Sequence, residues 1–163
     1  MDLSREEIIE YYYKSYIKVD GLWFVKTEEI DGFDKALKID RCVWKILPKI
    51  QARLIKSFLK DQTGFSLIKN ALEIKLELDR FTFEIKGEAK DNMIKVLIKN
   101  CPWHNIMVKS GRKDRSRIIG KNICMAEYST FLSEFLNDLE VRMNNGICLG
   151  NNSCSIEIDL GYD

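Results

Sequence analysis

FTFEIKGEA, residues 81–89, and MIKVLIKN, residues 93–100, decide the fold. In the first, Phe81, Phe83 and Ile85 alternate with Thr82, Glu84 and Lys86; in the second, Ile94, Val96 and Ile98 alternate with Lys95, Leu97 and Lys99. A period of two gives each strand one apolar face. The Lys90-Asp91-Asn92 turn signal between them makes a hairpin. A second pair of short strands is expected near Glu140–Met143 and Ser153–Leu160, joined by a loop rich in asparagine and glycine.

Most of the chain before residue 80 reads as helix. Ser4-Arg5-Glu6-Glu7 is a capping box. The first helix is expected to run to about Lys18 and to end at Asp20-Gly21. LWFVKTEEI (22–30) fits either a short strand or a helical turn. Residues 31–47 follow a helical period, Pro48 breaks or kinks it, and KIQARLIKSFLK (49–60) continues it. FSLIKNALEIKLELD (65–79) is another helix. After the hairpin comes SGRKDRSR (110–117), a basic loop, then a helix from Gly120. Helices on one face of an antiparallel sheet of about four strands, built from two C-terminal hairpins, is an α+β fold. Residues 1–163 are expected to form one domain, 1–79 mainly helical and 80–163 strand-rich and carrying the site.

The composition suits a globular chain: 45% hydrophobic, 31% charged, net charge +1. That balance supplies no global field for nucleic acid. No apolar run spans a membrane and the start lacks a secretory signal pattern, so a cytoplasmic protein without membrane insertion is expected. Thiols there stay reduced and serve as metal ligands, nucleophiles or small core residues.

The chain holds one histidine and five cysteines. Cys101 and His104 stand two residues apart in NCPWH, where the second strand ends. Cys124 lies on the late helix, and Cys148 and Cys154 flank the last loop. Zinc takes four thiolate or imidazole ligands, often one close pair plus two from elsewhere. Cys101, His104, Cys124, Cys148 and Cys154 are therefore the candidate ligands, with Cys124, Cys154, Cys148 and Cys101 ranked first and His104 next. Cys42, at an apolar position of a long helix, reads as core. Trp23, Phe24, Trp44, Phe83 and Trp103 either line an apolar ligand pocket or fill the core. The cations of the 109–117 segment read as solvated charge. Glu127 and Tyr128, one turn beyond Cys124, could flank a metal-bound water.

The late-helix cysteine followed by GICLGNNSCSIEI resembles the closing signature of 4-vinyl-reductase-type domains. The 21–56 segment and CPWHNIMVKSGR look like a group of uncharacterised archaeal and bacterial proteins, distantly similar to thiazoline-carboxylate hydrolases. The resemblance implies an α+β domain, often homodimeric, that buries a small, largely apolar molecule. It also implies a structural zinc held at Cys124, Cys148, Cys154 and a nearby glutamate. Here the residue three before Cys148 is Asn145, and the nearest preceding acid is Glu140; Cys101 or His104 is the replacement. The expected function is a non-catalytic small-molecule-binding domain with zinc. The alternatives are a metal-assisted hydrolase and an accessory protein for tetrapyrrole vinyl reduction. No dinucleotide, phosphate-loop or nucleophile-elbow motif is present.

Overall fold

Ser4 closes the first helix as expected: its hydroxyl accepts from the Glu7 amide at 3.1 Å and its amide donates to the Glu7 carboxylate at 2.8 Å. In the computed structural model, which describes residues 2–161, that helix does not stop at Gly21. α1 spans Arg5–Asp31 and ends at Gly32, whose φ of +86° suits glycine. Gly21 is tolerated mid-helix because its backbone stays out of the left-handed region. LWFVKTEEI is accordingly helical.

α2 (Phe33–Val43) and α3 (Leu47–Phe58) are separated at residues 44–46, and Pro48 occupies the first turn of α3, where its missing N–H costs nothing. α4 covers Gly64–Leu78. Then follow β1 (Thr82–Lys86), β2 (Met93–Asn100), α5 (Pro102–Lys109), α6 (Lys113–Leu132), β3 (Glu140–Asn145) and β4 (Cys154–Asp159). The strands form an antiparallel sheet in the order β1-β2-β4-β3. The last strand is thus inserted beside β2, pairing Ile98 with Cys154, Val96 with Ile156 and Ile94 with Ile158. The fold is α+β, with helices leading and strands following.

NCPWH stands where β2 ends, as expected, and it also opens a helix the sequence reading did not include: Pro102 begins α5 and Cys101 is its N-cap. Most of the basic loop is also helical. α6 begins at Lys113 and runs through Gly120, so Cys124 lies in its middle rather than at its start.

The chain divides into two compact units, Met1–Cys42 and Val43–Asp163. The core of the second is Ile94, Val96, Ile98, Ile156 and Ile158 from the sheet, against Ala52 and Ile55 of α3, Ile68, Leu72 and Leu76 of α4, and Tyr128, Phe131 and Leu132 of α6. Embedded there is a cation. Lys75 is 2% exposed and reaches Asp79 and Glu127, each at 2.7 Å, with its ammonium 5.6 Å from the Phe131 ring centroid. Burial alone would pull this amine down, but the two carboxylates more than offset it and hold the lysine charged. Burial makes Glu127 take up a proton more readily than an exposed glutamate; Lys75 opposes this and the neighbouring Asp79 charge adds to it. Among the described residues no helix is long and apolar enough to cross a membrane.

Candidate functional site

Four thiols gather at one end of the sheet, each delivered by a different stretch of chain. Cys101 leaves β2, Cys154 opens β4 beside Ile98, Cys148 lies in the short 3-10 turn Ile147–Leu149, and Cys124 faces them from α6. Cys124 is within electrostatic reach of the other three, Cys101 of Cys154 and Cys148, and Cys148 of Cys154. All are free thiols.

One row of α6 organises this end. Ser116, Gly120, Cys124 and Tyr128 recur every four residues and so lie along one side of the helix. Ser116 is fully buried and its hydroxyl meets the His104 Nδ1 at 2.8 Å. Gly120 makes room for sulfur: a Cβ there would lie 2.6 Å from the Cys148 Sγ and 3.9 Å from that of Cys124. Tyr128 joins the core.

Backbone amides point at the sulfurs. The His104 amide donates to the Cys101 Sγ at 3.5 Å, and the Ile147 amide to the Cys154 Sγ at 3.2 Å. The amide of Trp103 adds to the first. Arg117 and Lys121 lend positive charge to Cys148. These groups favour thiolate, but burial works against them. It pushes the Cys101 thiol up to about 11, Cys124 well above the usual thiol range, and Cys148 and Cys154 upward too. Without a cation among them the four are neutral thiols at physiological pH.

Among the described residues no three His, Cys, Asp or Glu side chains stand as a metal-holding group. This is compatible with the mutual electrostatics of the thiols. Charge interactions extend over roughly 8–10 Å, whereas coordination needs every sulfur at about 2.3 Å from the ion. The thiols are neighbours, not yet a closed shell.

The remaining expected residues divide. His104 is beside the thiols in sequence, but its imidazole is held by Ser116, and burial together with Lys113 lowers its affinity for a proton. Cys42 is exposed, not core, because the buried side of α2 runs through Phe33, Ala36, Leu37 and Asp40 and Cys42 lies off it. Glu127 is committed to Lys75 rather than to a metal-bound water. Trp44 is buried and packs edge-to-face on Trp103 with centroids 5.7 Å apart. Phe83 packs partly buried on the core. In the N-terminal unit Phe24 meets Phe33 edge-to-face at 5.8 Å, and Trp23 stands 72% exposed. One residue of the site lies outside the sequence reading: Gly120 reads there as a helix start, although a glycine four residues before Cys124 is a sign of close approach. Asn145 keeps a buried side-chain oxygen with no hydrogen-bond partner among the described residues.

Fold and site together define an α+β domain with helices on a four-stranded antiparallel sheet and a thiol cluster at one sheet end. The sequence matches the family of unknown function DUF6125 over residues 1–149, and the chain belongs to that family. No curated protein matches it significantly. Among solved structures it is similar to a trafficking protein particle complex subunit 3 from Naegleria fowleri, covalently bound to palmitic acid. That likeness has a TM-score of 0.55 and 12% identity, covering 90% of this chain and 97% of that one. It is also similar to the phenol-responsive sensory domain of the transcription activator PoxR, solved with phenol, at a TM-score of 0.53 and 11% identity, covering 90% of this chain and 75% of that one. At these identities the likeness is one of fold.

Proposed function

We propose that this chain is a small-molecule-binding domain whose sheet end is closed by a structural zinc ion on Cys101, Cys124, Cys148 and Cys154, and that it acts as a homodimer. The observation that carries the metal is the convergence of four thiols from four chain segments, with backbone amides and two cations directed at them. Zinc binding deprotonates thiols that burial otherwise keeps neutral, and N–H groups already facing the sulfurs stabilise the resulting charge. Cys148 sits in a short turn ended by Gly150 at φ +97°, the part of the shell best able to close by a side-chain rotation. The unpartnered Asn145 oxygen, where the 4-vinyl-reductase resemblance expects a glutamate, is a further donor for the ion or for a bound molecule; left alone it costs about 1–3 kcal/mol.

Ligand binding is supported by the two structural neighbours, one solved with phenol and the other carrying palmitate. Trp44, Trp103 and Phe83 are the aromatic candidates in the C-terminal unit, and Trp23 and Phe24 in the N-terminal unit. The hydrolytic alternative loses its base, since Glu127 neutralises Lys75.

Elemental analysis and native mass spectrometry of protein purified without chelator test the reading together. One zinc per chain, with four thiols unreactive until the metal is removed, is expected. Metal-free protein whose four thiols react freely would remove the zinc, and a mass matching the bare chain would leave the ligand unsupported.

A further inference from the structure

The N-terminal helix carries apolar residues that its own unit does not bury. On α1, Ile17 is buried and Phe24 meets Phe33. On the other side Ile9, Tyr12, Val19, Trp23 and Ile30 are 62%, 68%, 54%, 72% and 80% exposed. Their spacing is informative. With Lys26 and Tyr16, the latter half-buried and with its hydroxyl inside the chain, they step by three and four alternately from residue 9 to residue 30. Ile9, Tyr16, Trp23 and Ile30 fall at one position of a seven-residue repeat, and Tyr12, Val19 and Lys26 at the other. A repeat sustained for three heptads keeps a seam facing another helix along its whole length, which a random scatter of surface residues does not do.

The area suits an interface. With roughly 150–250 Å² for each aromatic side chain and somewhat less for each aliphatic one, the seam and the flanking Ile8 and Leu22 offer roughly 800 Å² of exposed surface. That is about what each partner contributes to a stable complex, and more than a monomer ordinarily leaves in one patch.

Charge selects the occupant and its direction. Two parallel copies of α1 in register would set Lys26 against Lys26 and Arg5 against Arg5. Antiparallel copies pair Tyr16 with Val19, Trp23 with Tyr12, Ile9 with Lys26 and Ile30 with Arg5, all in one register. That register brings Lys26 near Glu6 and Glu10 of the other copy, and Arg5 near its Glu29. Each cation gains opposite charge, and the acids that stand level with each other in this register, Glu6 and Glu29, are the ones that flank Lys26 and Arg5.

We propose that α1 pairs antiparallel with α1 of a second copy through the Ile9–Ile30 seam. This specifies the face of the homodimer and rests on that reading. The test is sedimentation of the full chain as wild type and as Trp23→Glu and Tyr12→Glu, with circular dichroism as a check on folding. The wild type is expected to be a dimer at micromolar concentration. Each variant is expected to be folded and to dissociate at least a hundredfold more easily. Orientation is read in a Cys42→Ala background by mixing Ile9→Cys and Lys26→Cys proteins, which are expected to cross-link with each other and not with themselves. A monomeric wild type overturns both the seam and the homodimer. Folded variants that stay dimeric overturn the seam alone, and self-cross-linking of the Lys26→Cys protein overturns the antiparallel direction.

Discussion

The two units use apolar residues in opposite ways. In Val43–Asp163, two periods answer each other: alternating strand residues such as Ile94, Val96 and Ile98 meet helical rows such as Ile68, Leu72 and Leu76, and all are essentially buried. In Met1–Cys42 the only described apolar residues that reach full burial are Ile17 and Ala36, while α1 holds large side chains in solvent along most of its length. Hydrophobic content therefore does not distinguish a core from a contact surface; what matters is whether a second element of matching period lies opposite. The sheet and the helices over it in the C-terminal unit supply one another's partners, although α3 leaves Ile50, Leu54 and Phe58 exposed. The N-terminal unit leaves most of the α1 apolar row without an opposing element.

The sharpest contrast is between two cysteines, one in each unit. Cys124→Ala is expected to cost several kcal/mol in the metal-loaded protein and to abolish stoichiometric zinc, since structural zinc couples roughly 10 kcal/mol or more to folding. Cys42→Ala is expected to stay within about 0.5 kcal/mol, as a change at an exposed site. Thermal melts with metal analysis check both, and equal mildness with full zinc in the two would undo the site. Acid should release the ion by protonating the thiolates.

Next in size is a pair of apolar truncations. Phe131→Ala, at a fully buried position, is expected to cost about 3–5 kcal/mol. Ile30→Ala, 80% exposed, should be within about 0.5 kcal/mol for the isolated chain. Urea titrations at a dilution where the chain is monomeric measure both. A comparable loss at Ile30 under those conditions would show that α1 is supported within the chain after all.

A subtler effect concerns the buried cation. Lys75→Met leaves Asp79 and Glu127 uncompensated, and breaking such a pair costs about 3 kcal/mol. The pH dependence follows from the carboxylates. Burial without a cation raises the folded-state affinity of Glu127 for a proton above that of the unfolded chain. A group raised in this way stabilises the fold once protonated and loses that contribution as pH rises. The deficit of the variant should therefore be largest at neutral pH and narrow as pH falls toward the ordinary glutamate value of 4.5. A deficit independent of pH would mean that packing, not charge, is what Lys75 supplies.

The strands were readable because one buried face imposes a strict period of two, and Ile94, Val96 and Ile98 carry it without exception. α1 was cut short at Gly21 because glycine stops a helix only where the backbone must turn left-handed; that demand falls on Gly32, eleven residues on. α5 is absent from the sequence reading because its eight residues are too short to show a helical period, although Pro102 is a favourable first residue of a helix. The thiol-bearing segments could be grouped by their clustering late in the chain. Their partners could not: the Ser116–His104 contact and the fit of Cys148 over Gly120 depend on how α6 lies across the sheet end, which no local pattern encodes.

That fit at Gly120 ties two distant positions to one fate. A methyl group there would press on the Cys148 sulfur at 2.6 Å, so alanine is admissible only in a chain whose residue 148 is smaller or displaced. Among natural variants of this sequence, position 120 should remain glycine wherever 148 is cysteine, and drift freely once that cysteine is lost. The pairing would be visible as covariation between a helix interior and a loop 28 residues away.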